Sequence, residues 1–275
     1  MNSYFSAFWT KPELENHLYA EQIMKVAVII DTDNQVNSLG LLLEDISKLK
    51  LYQTKIDIYI VNNQSNDIDI IKYAKFGFAH LQVIQPSKKL DTRGGFYYGL
   101  QLVSKLKYDY IWLLDDDLRL DPLALSTLIT TLQNHNEVGL VSSQLYHREE
   151  PMTIQELGRL INHRSLPSHT KISQLNNIFH KNIKGKSYIK VEFCAAKSIL
   201  LRQRVVHNLG INTDTYAEFE DIDLCLRVKQ AGWILAVNYH SIIWQNYPQL
   251  PLSNLIDYQQ DCDFYYWQKY RPDLL

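Results

Sequence analysis

The residues Val26-Ala27-Val28-Ile29-Ile30 are apolar without interruption, which predicts a strand buried on both faces, as in a parallel sheet. Just downstream, Val36, Leu39, Leu43, Ile46 and Leu49 recur at the spacing of one helical face. The alternation continues with a strand at 56–61, a helix at 67–78, a strand at 81–85, a helix at 95–106 and a strand at 110–114. A helix at 122–132 follows, with Pro122 in its first turn, where a missing amide is tolerated, and then a strand at 138–142. Strands and helices alternating in this way predict an α/β fold, a mainly parallel sheet flanked by helices. The second half is less regular. A short strand is expected near 187–194, a helix at 218–231 with Gly232 as its stop, strands at 234–237 and 241–244, and an aromatic-rich helix at 252–270. The pattern divides the chain into an accessory N-terminal extension (1–24), one main domain (25–250) and a C-terminal helix packed on it (251–275).

The strand at 110–114 runs directly into Asp115-Asp116-Asp117. In an open parallel sheet, ligands bind at the carboxyl ends of the strands, so these acids stand where a site belongs. Three adjacent carboxylates repel one another by roughly a few tenths to a few kcal/mol unless a cation or hydrogen-bond donors offset the charge. A divalent ion does so economically: Mg²⁺, for instance, is held by one or two carboxylates, with water and substrate phosphate completing its shell. Helix capping before Pro122 would require one aspartate, not three. A calcium-binding EF-hand loop is excluded, because counting from Asp115 puts Leu120 where glycine is required and Ser126 where glutamate is required.

Composition narrows the classes further. The 275 residues are 46% hydrophobic and 21% charged, ordinary for a folded protein, and the net charge of −2 argues against a dedicated nucleic-acid binder. Cys194, Cys225 and Cys262 are odd in number and far apart in sequence, and are read as reduced thiols of a cytoplasmic protein. No apolar run reaches the roughly 18 residues that span a bilayer, and the first 25 residues carry no secretory pattern. Between 157 and 191 there is no acidic residue but seven Lys or Arg. This stretch reads either as a solvated excursion or as a basic surface for a phosphate-bearing or lipid-linked acceptor, with peripheral contact at the inner face of the membrane.

Several ordered segments then match one pattern. They are Val26 to Asn34, with Asp31-Thr32-Asp33-Asn34 as its turn; Ile60-Val61-Asn62-Asn63-Gln64-Ser65-Asn66-Asp67; Arg93-Gly94-Gly95-Phe96; Tyr110 to Pro122; Glu218-Phe219-Glu220-Asp221-Ile222-Asp223; and Ile242-Ile243-Trp244-Gln245. On these segments the chain resembles glycosyltransferase family 2 enzymes of the GT-A fold, most of all the branch of bacterial rhamnosyltransferases and galactofuranosyltransferases. The resemblance implies a metal-dependent inverting transfer from a UDP- or dTDP-linked sugar, such as UDP-galactofuranose, another UDP-hexose or dTDP-rhamnose. The acceptor would be a growing bacterial surface glycan or a lipid-linked saccharide.

It also implies roles. Asp115 and Asp117 would hold Mn²⁺ or Mg²⁺, and Asp221 would be the catalytic base. Thr32, Asp33, Asn62, Asn63, Arg93 and Asp116 would line the nucleotide site. Two positions depart from the family's pattern. Asn62 replaces the usual aspartate of the second turn, and Gln245 falls where the family has a metal-binding histidine. A neutral amide oxygen is a weaker ligand than imidazole for transition metals, and His240, five residues earlier, is the alternative third ligand. A sugar nucleotidyltransferase would require a glycine-rich basic loop after the first strand, which Asp31-Thr32-Asp33-Asn34 is not. A non-catalytic sugar-binding relative is the other reading that Gln245 raises.

Overall fold

The apolar run from Val26 to Ile30 forms the middle of β1 (Met24–Thr32), and all five of its side chains are buried. The computed structural model describes residues 23–32, 36–63, 73, 75–87, 90, 94–148, 154–156, 187–194, 197–209 and 220–245. The N-terminal extension, most of the expected helix at 67–78, nearly all of the basic stretch and the expected C-terminal helix lie outside these residues. After β1 come α1 (Val36–Ser47), β2 (Thr54–Asn62), β3 (Leu81–Ile84), α2 (Gly95–Val103), β4 (Tyr110–Asp115), β5 (Leu118–Leu120) and α3 (Ala124–Asn134). The second half contributes β6 (Val138–His147), β7 (Ile154–Glu156), β8 (Tyr188–Val191), β9 (Ser198–Arg202), α4 (Gln203–Asn208), α5 (Glu220–Gln230) and β10 (Ile234–Gln245).

These strands form one ten-stranded sheet in the order β3-β2-β1-β4-β9-β6-β10-β5, with β7 beside β6 and β8 beside β10. The half from β3 to β4 is parallel throughout. Beyond β4 the sheet is mixed, because β9 enters antiparallel to both β4 and β6. Alternate residues of the central strands serve two cores. Val26, Val28, Ile30, Trp112 and Leu114 pack on the α1 and α3 side. Ala27, Ile29, Ile111 and Leu113 pack on the side of α2, α4 and α5. A strand buried on both faces has no polar face to alternate with, which is why its sequence is continuously apolar. Each such fully buried aliphatic side chain contributes about 1.5–3 kcal/mol.

Three local details differ from the sequence expectation or sharpen it. The strands expected at 234–237 and 241–244 are one strand, β10, whose register against β6 shifts between Asn238 and Ile242. Gly232 does stop α5: its φ is 85°, and the amides of Gly232 and Trp233 donate to the carbonyls of Lys229 and Val228 over 2.8 and 3.2 Å, the pattern of a Schellman cap. Finally, Cys194 and Cys225 are not far apart. The packing of α5 brings their sulfurs to 3.7 Å, as buried thiols not joined in a disulfide. Among the described residues no helix is long and apolar enough to cross a membrane.

Candidate active site

Because β1, β2 and β4 run parallel, their carboxyl ends meet at one edge of the sheet. Thr32 is in register with Asn62, and Asp31 with Asp115. Thr32 and Asn62 are buried there, and the Thr32 hydroxyl donates to Asp116 Oδ2 over 2.5 Å. Asn63 engages the chain instead: its Oδ1 accepts the Leu90 N–H at 2.7 Å and its Nδ2 donates to the Leu90 carbonyl at 3.2 Å. The amide thus fixes Leu90 beside the end of β2. Gly95, the first residue of α2, lies so close to β1 that a β-carbon on it would run into the Asp31 carboxylate, which would have to move aside. Asp33 and Arg93 lie outside the described residues.

The acidic turn follows β4. Oxygens of Asp115, Asp116 and Asp117 lie within 4.8 Å of one another, yet each carboxylate has a different environment. Asp115, 30% exposed, pairs with the Lys197 ammonium, and its amide donates to the Lys197 carbonyl over 3.1 Å. Asp116 is buried, which pushes its carboxyl up to about 7 against the opposing effect of the Thr32 hydrogen bond, with the neighbouring Asp115 and Asp117 charges adding to the rise. Asp117 is also raised, first by burial and then by Asp115, while Lys197 and Gln245 act the other way.

The turn is held in place from both sides. After two residues the chain enters β5, which pairs antiparallel with the end of β10 so that Leu118 faces Gln245. Asp45 of α1 fixes β5 by accepting Arg119 Nε and Nη2 at 2.5 and 2.7 Å and the Leu120 N–H at 3.0 Å. The β5–β10 pairing brings Gln245 Nε2 to 2.8 Å from Asp117 Oδ2. The other oxygen, Asp117 Oδ1, is buried without a hydrogen-bond partner. Leaving a buried acceptor unmade costs about 1–3 kcal/mol, more when it is charged. A cation on that oxygen would remove the cost, and the donors at hand are carboxylate and amide oxygens, the hard set that suits Mg²⁺ or Mn²⁺. The residues therefore fit a divalent ion held by Asp115 and Asp117, with the Gln245 side chain bonded to Asp117.

His240 is placed differently. It sits in the bulge of β10, exposed, its ring tilted at 51° against Tyr239 with 4.5 Å between ring centroids. Ile242 to Gln245 alone spans roughly 10 Å of strand, so it is Gln245 and not His240 that meets the Asp117 carboxylate.

Asp221 is carried by α5. It is half-buried, and its Oδ1 accepts the Ile222 N–H over 2.8 Å. Two residues on, Asp223 is completely buried and accepts the Tyr97 hydroxyl at 2.7 Å and Arg227 Nε at 2.6 Å. This carboxylate ties α5 to α2, the helix whose start abuts Asp31. Asp223 and Lys197 are the structural contributors that sequence reasoning did not assign. The i,i+4 spacing of Asp223 and Arg227 was a legible signal for the first, whereas nothing local marks Lys197.

No curated protein matches the chain significantly. Among solved structures, the mannosyltransferase PcManGT from Pyrobaculum calidifontis, in complex with GDP-Man and Mn²⁺, superposes with a TM-score of 0.59 at 13% identity, over 85% of this chain and 60% of that one. GalNAc-T7 with UDP, GalNAc and Mn²⁺ superposes with a TM-score of 0.61 at 14% identity, over 92% of this chain and 52% of that one. The chain thus spans between half and three-fifths of the length of these two proteins, and at such identities the likeness is one of fold, the GT-A type of α/β sheet. The sequence model of the family described as "Glycosyltransferase like family 2" matches residues 24–255, from the first residue of β1 to beyond the last of β10, and the chain belongs to that family.

Proposed function

We propose that the protein is a metal-dependent glycosyltransferase that moves a sugar from a nucleoside-diphosphate donor to an acceptor hydroxyl, with inversion at the anomeric carbon. The observation that carries this reading is the orphaned, buried Asp117 Oδ1 within the acidic turn at the carboxyl ends of β1, β2 and β4. The two structural neighbours, bound to GDP-Man or UDP together with Mn²⁺, support a nucleotide donor and a divalent ion. Mn²⁺ or Mg²⁺ bound by Asp115 and Asp117 would act as a Lewis acid on the leaving diphosphate.

The chain's own residues supply the rest. Thr32 and Asn62 line the nucleotide end of the sheet, with Asp33 and Arg93 as further nucleotide-binding candidates from the adjoining segments. Asp116, held by Thr32, sets the spacing between that end and the turn. An acceptor hydroxyl has a pKa far above 7, so a carboxylate must take its proton as the new bond forms. Asp221 is assigned this role, with Asp223 fixing its helix. UDP-galactofuranose, another UDP-hexose or dTDP-rhamnose is the donor we favour from the sequence resemblance, and a bacterial surface glycan or lipid-linked saccharide the acceptor. The enzyme would then work in the cytoplasm, at the inner face of the membrane.

The test is donor hydrolysis or transfer by the purified protein over a panel of UDP-, dTDP- and GDP-sugars, with Mn²⁺, with Mg²⁺ and with chelator. Metal-dependent release of a nucleoside diphosphate is expected. Tight sugar-nucleotide binding with no release under any condition would favour the non-catalytic relative.

A further inference from the structure

Lys197 lies immediately before β9, the antiparallel neighbour of β4, and its carbonyl accepts the Asp115 amide at 3.1 Å. The following residue is locked in place: Ser198 is buried, and its hydroxyl meets Trp112 Nε1 at 3.0 Å and the Ser143 hydroxyl at 2.8 Å. The backbone of Lys197 is therefore fixed beside the acidic turn, while its side chain is 29% exposed and reaches Asp115. Partly exposed ion pairs of this kind contribute only about 0–1 kcal/mol, so the contact is readily exchanged, and a lysine stem has the freedom to swing its ammonium elsewhere.

The charges give that freedom a purpose. Ionised, the turn carries three negative charges; a divalent ion offsets two and an ammonium the third. Building on the glycosyltransferase reading above, we infer that Lys197 is a counter-cation built into the metal site: it neutralises Asp115 until a divalent ion binds there, and then pairs with the diphosphate of the donor. Lys197 is in this sense a positioning and charge-balancing residue, which raises donor affinity at the expense of metal affinity.

The two halves of that role have opposite signs, and a merely structural lysine would not produce them. Removing the positive charge leaves the turn more negative, so it should attract Mn²⁺ more strongly and repel a diphosphate. In Lys197→Met and Lys197→Gln, titrated with Mn²⁺ alone by electron paramagnetic resonance, the dissociation constant should fall by about tenfold. For the member of UDP, GDP and dTDP that the unaltered protein binds best, calorimetry at saturating Mn²⁺ should show binding weakened by about the same factor. Lys197→Arg should keep both values near those of the unaltered protein. Unchanged or weaker Mn²⁺ binding in the neutral variants overturns the inference, as does unchanged diphosphate binding. Both outcomes leave the glycosyltransferase reading standing if the unaltered protein binds the two ligands. Failure of the unaltered protein to bind Mn²⁺ or any nucleoside diphosphate would instead remove that reading, and this inference with it.

Discussion

Gln245 donates its amide to one oxygen of Asp117 over 2.8 Å, while the other oxygen of that carboxylate stays buried and unpartnered. The amide therefore stands beside the proposed metal-binding carboxylate, and as a ligand it would supply only a neutral carbonyl oxygen. Imidazole binds first-row transition ions more firmly than an amide does. Gln245→His is expected to tighten Mn²⁺ by about tenfold, that is by about 1.4 kcal/mol, measured by calorimetry on the protein without donor. Mg²⁺, which prefers oxygen ligands, should gain little. If Mn²⁺ affinity stays constant while His240→Ala weakens it strongly, the third ligand is His240.

Asp116 makes the metal-free protein sensitive to pH. Its carboxyl is pushed up to about 7 in the folded state, chiefly by burial, from an unfolded value near the ordinary 3.8. The folded state then holds the extra proton between those values, so stability declines as pH rises through that window and is lowest above it. In chelator, Asp116→Asn should melt several degrees higher than the unaltered protein at pH 8, with the gap narrowing toward pH 5. The asparagine carbonyl can still accept the Thr32 hydroxyl, so the comparison isolates the charge. A gap of equal size at both pH values would mean that burial of the Asp116 charge is not the cause.

Asp45 anchors the far side of the turn. Truncating it in Asp45→Ala leaves the Arg119 guanidinium and the buried Leu120 N–H without their acceptor. Breaking a buried pair in this way costs about 3–5 kcal/mol, less here because Arg119 is 25% exposed. A loss of about 2–3 kcal/mol in urea unfolding is expected, together with weaker Mn²⁺ binding as β5 loosens from α1. Stability lost without any change in metal affinity would show that the β5–β10 pairing alone positions Gln245.

The two halves of the chain differ in how much their sequence reveals. From β1 to α3 nearly every element can be read locally, because helices and doubly buried strands alternate and each leaves its own period. The exceptions are β5 in the first half and β7 in the second, each three residues long and too short for any period to register. β10 carries a bulge around Tyr239 and His240, and its polar interruption reads as a gap between two strands. The acidic turn is legible because a buried strand ending in three carboxylates is costly without a purpose. Its partner Lys197 is not, since the two meet only through the antiparallel insertion of β9, across 82 positions of sequence. The approach of Cys194 to Cys225 is hidden for the same reason: they are 31 positions apart in sequence, and only the packing of α5 brings their sulfurs together. Gln245 could be singled out only through the family resemblance, and its bond to Asp117 depends on the pairing of β5 with β10.

Asp221 separates catalysis from binding. A general base acts in the transition state, so Asp221→Asn should lower kcat by about 10²–10⁴-fold while leaving nucleoside-diphosphate affinity unchanged. The substitution is well suited to the geometry. Asp221 Oδ1 accepts the Ile222 N–H, and the asparagine carbonyl can accept it equally, so the first turn of α5 is preserved and only the basicity is lost. A structural Asp221 would therefore tolerate the change with activity almost intact. Asp223→Asn is the informative companion. It keeps an acceptor for Tyr97 but removes the charge that faces Arg227, so it should lower stability, and lower kcat only as far as α5 shifts. Paired measurements of kcat, diphosphate affinity and melting temperature on the two variants tell the roles apart. Asp221→Asn that melts normally, binds normally and turns over slowly identifies the base. If Asp221→Asn instead retains full turnover, the base is another carboxylate, and Glu220→Gln is the next variant to assay, since Glu220 is the neighbouring acid at the start of α5.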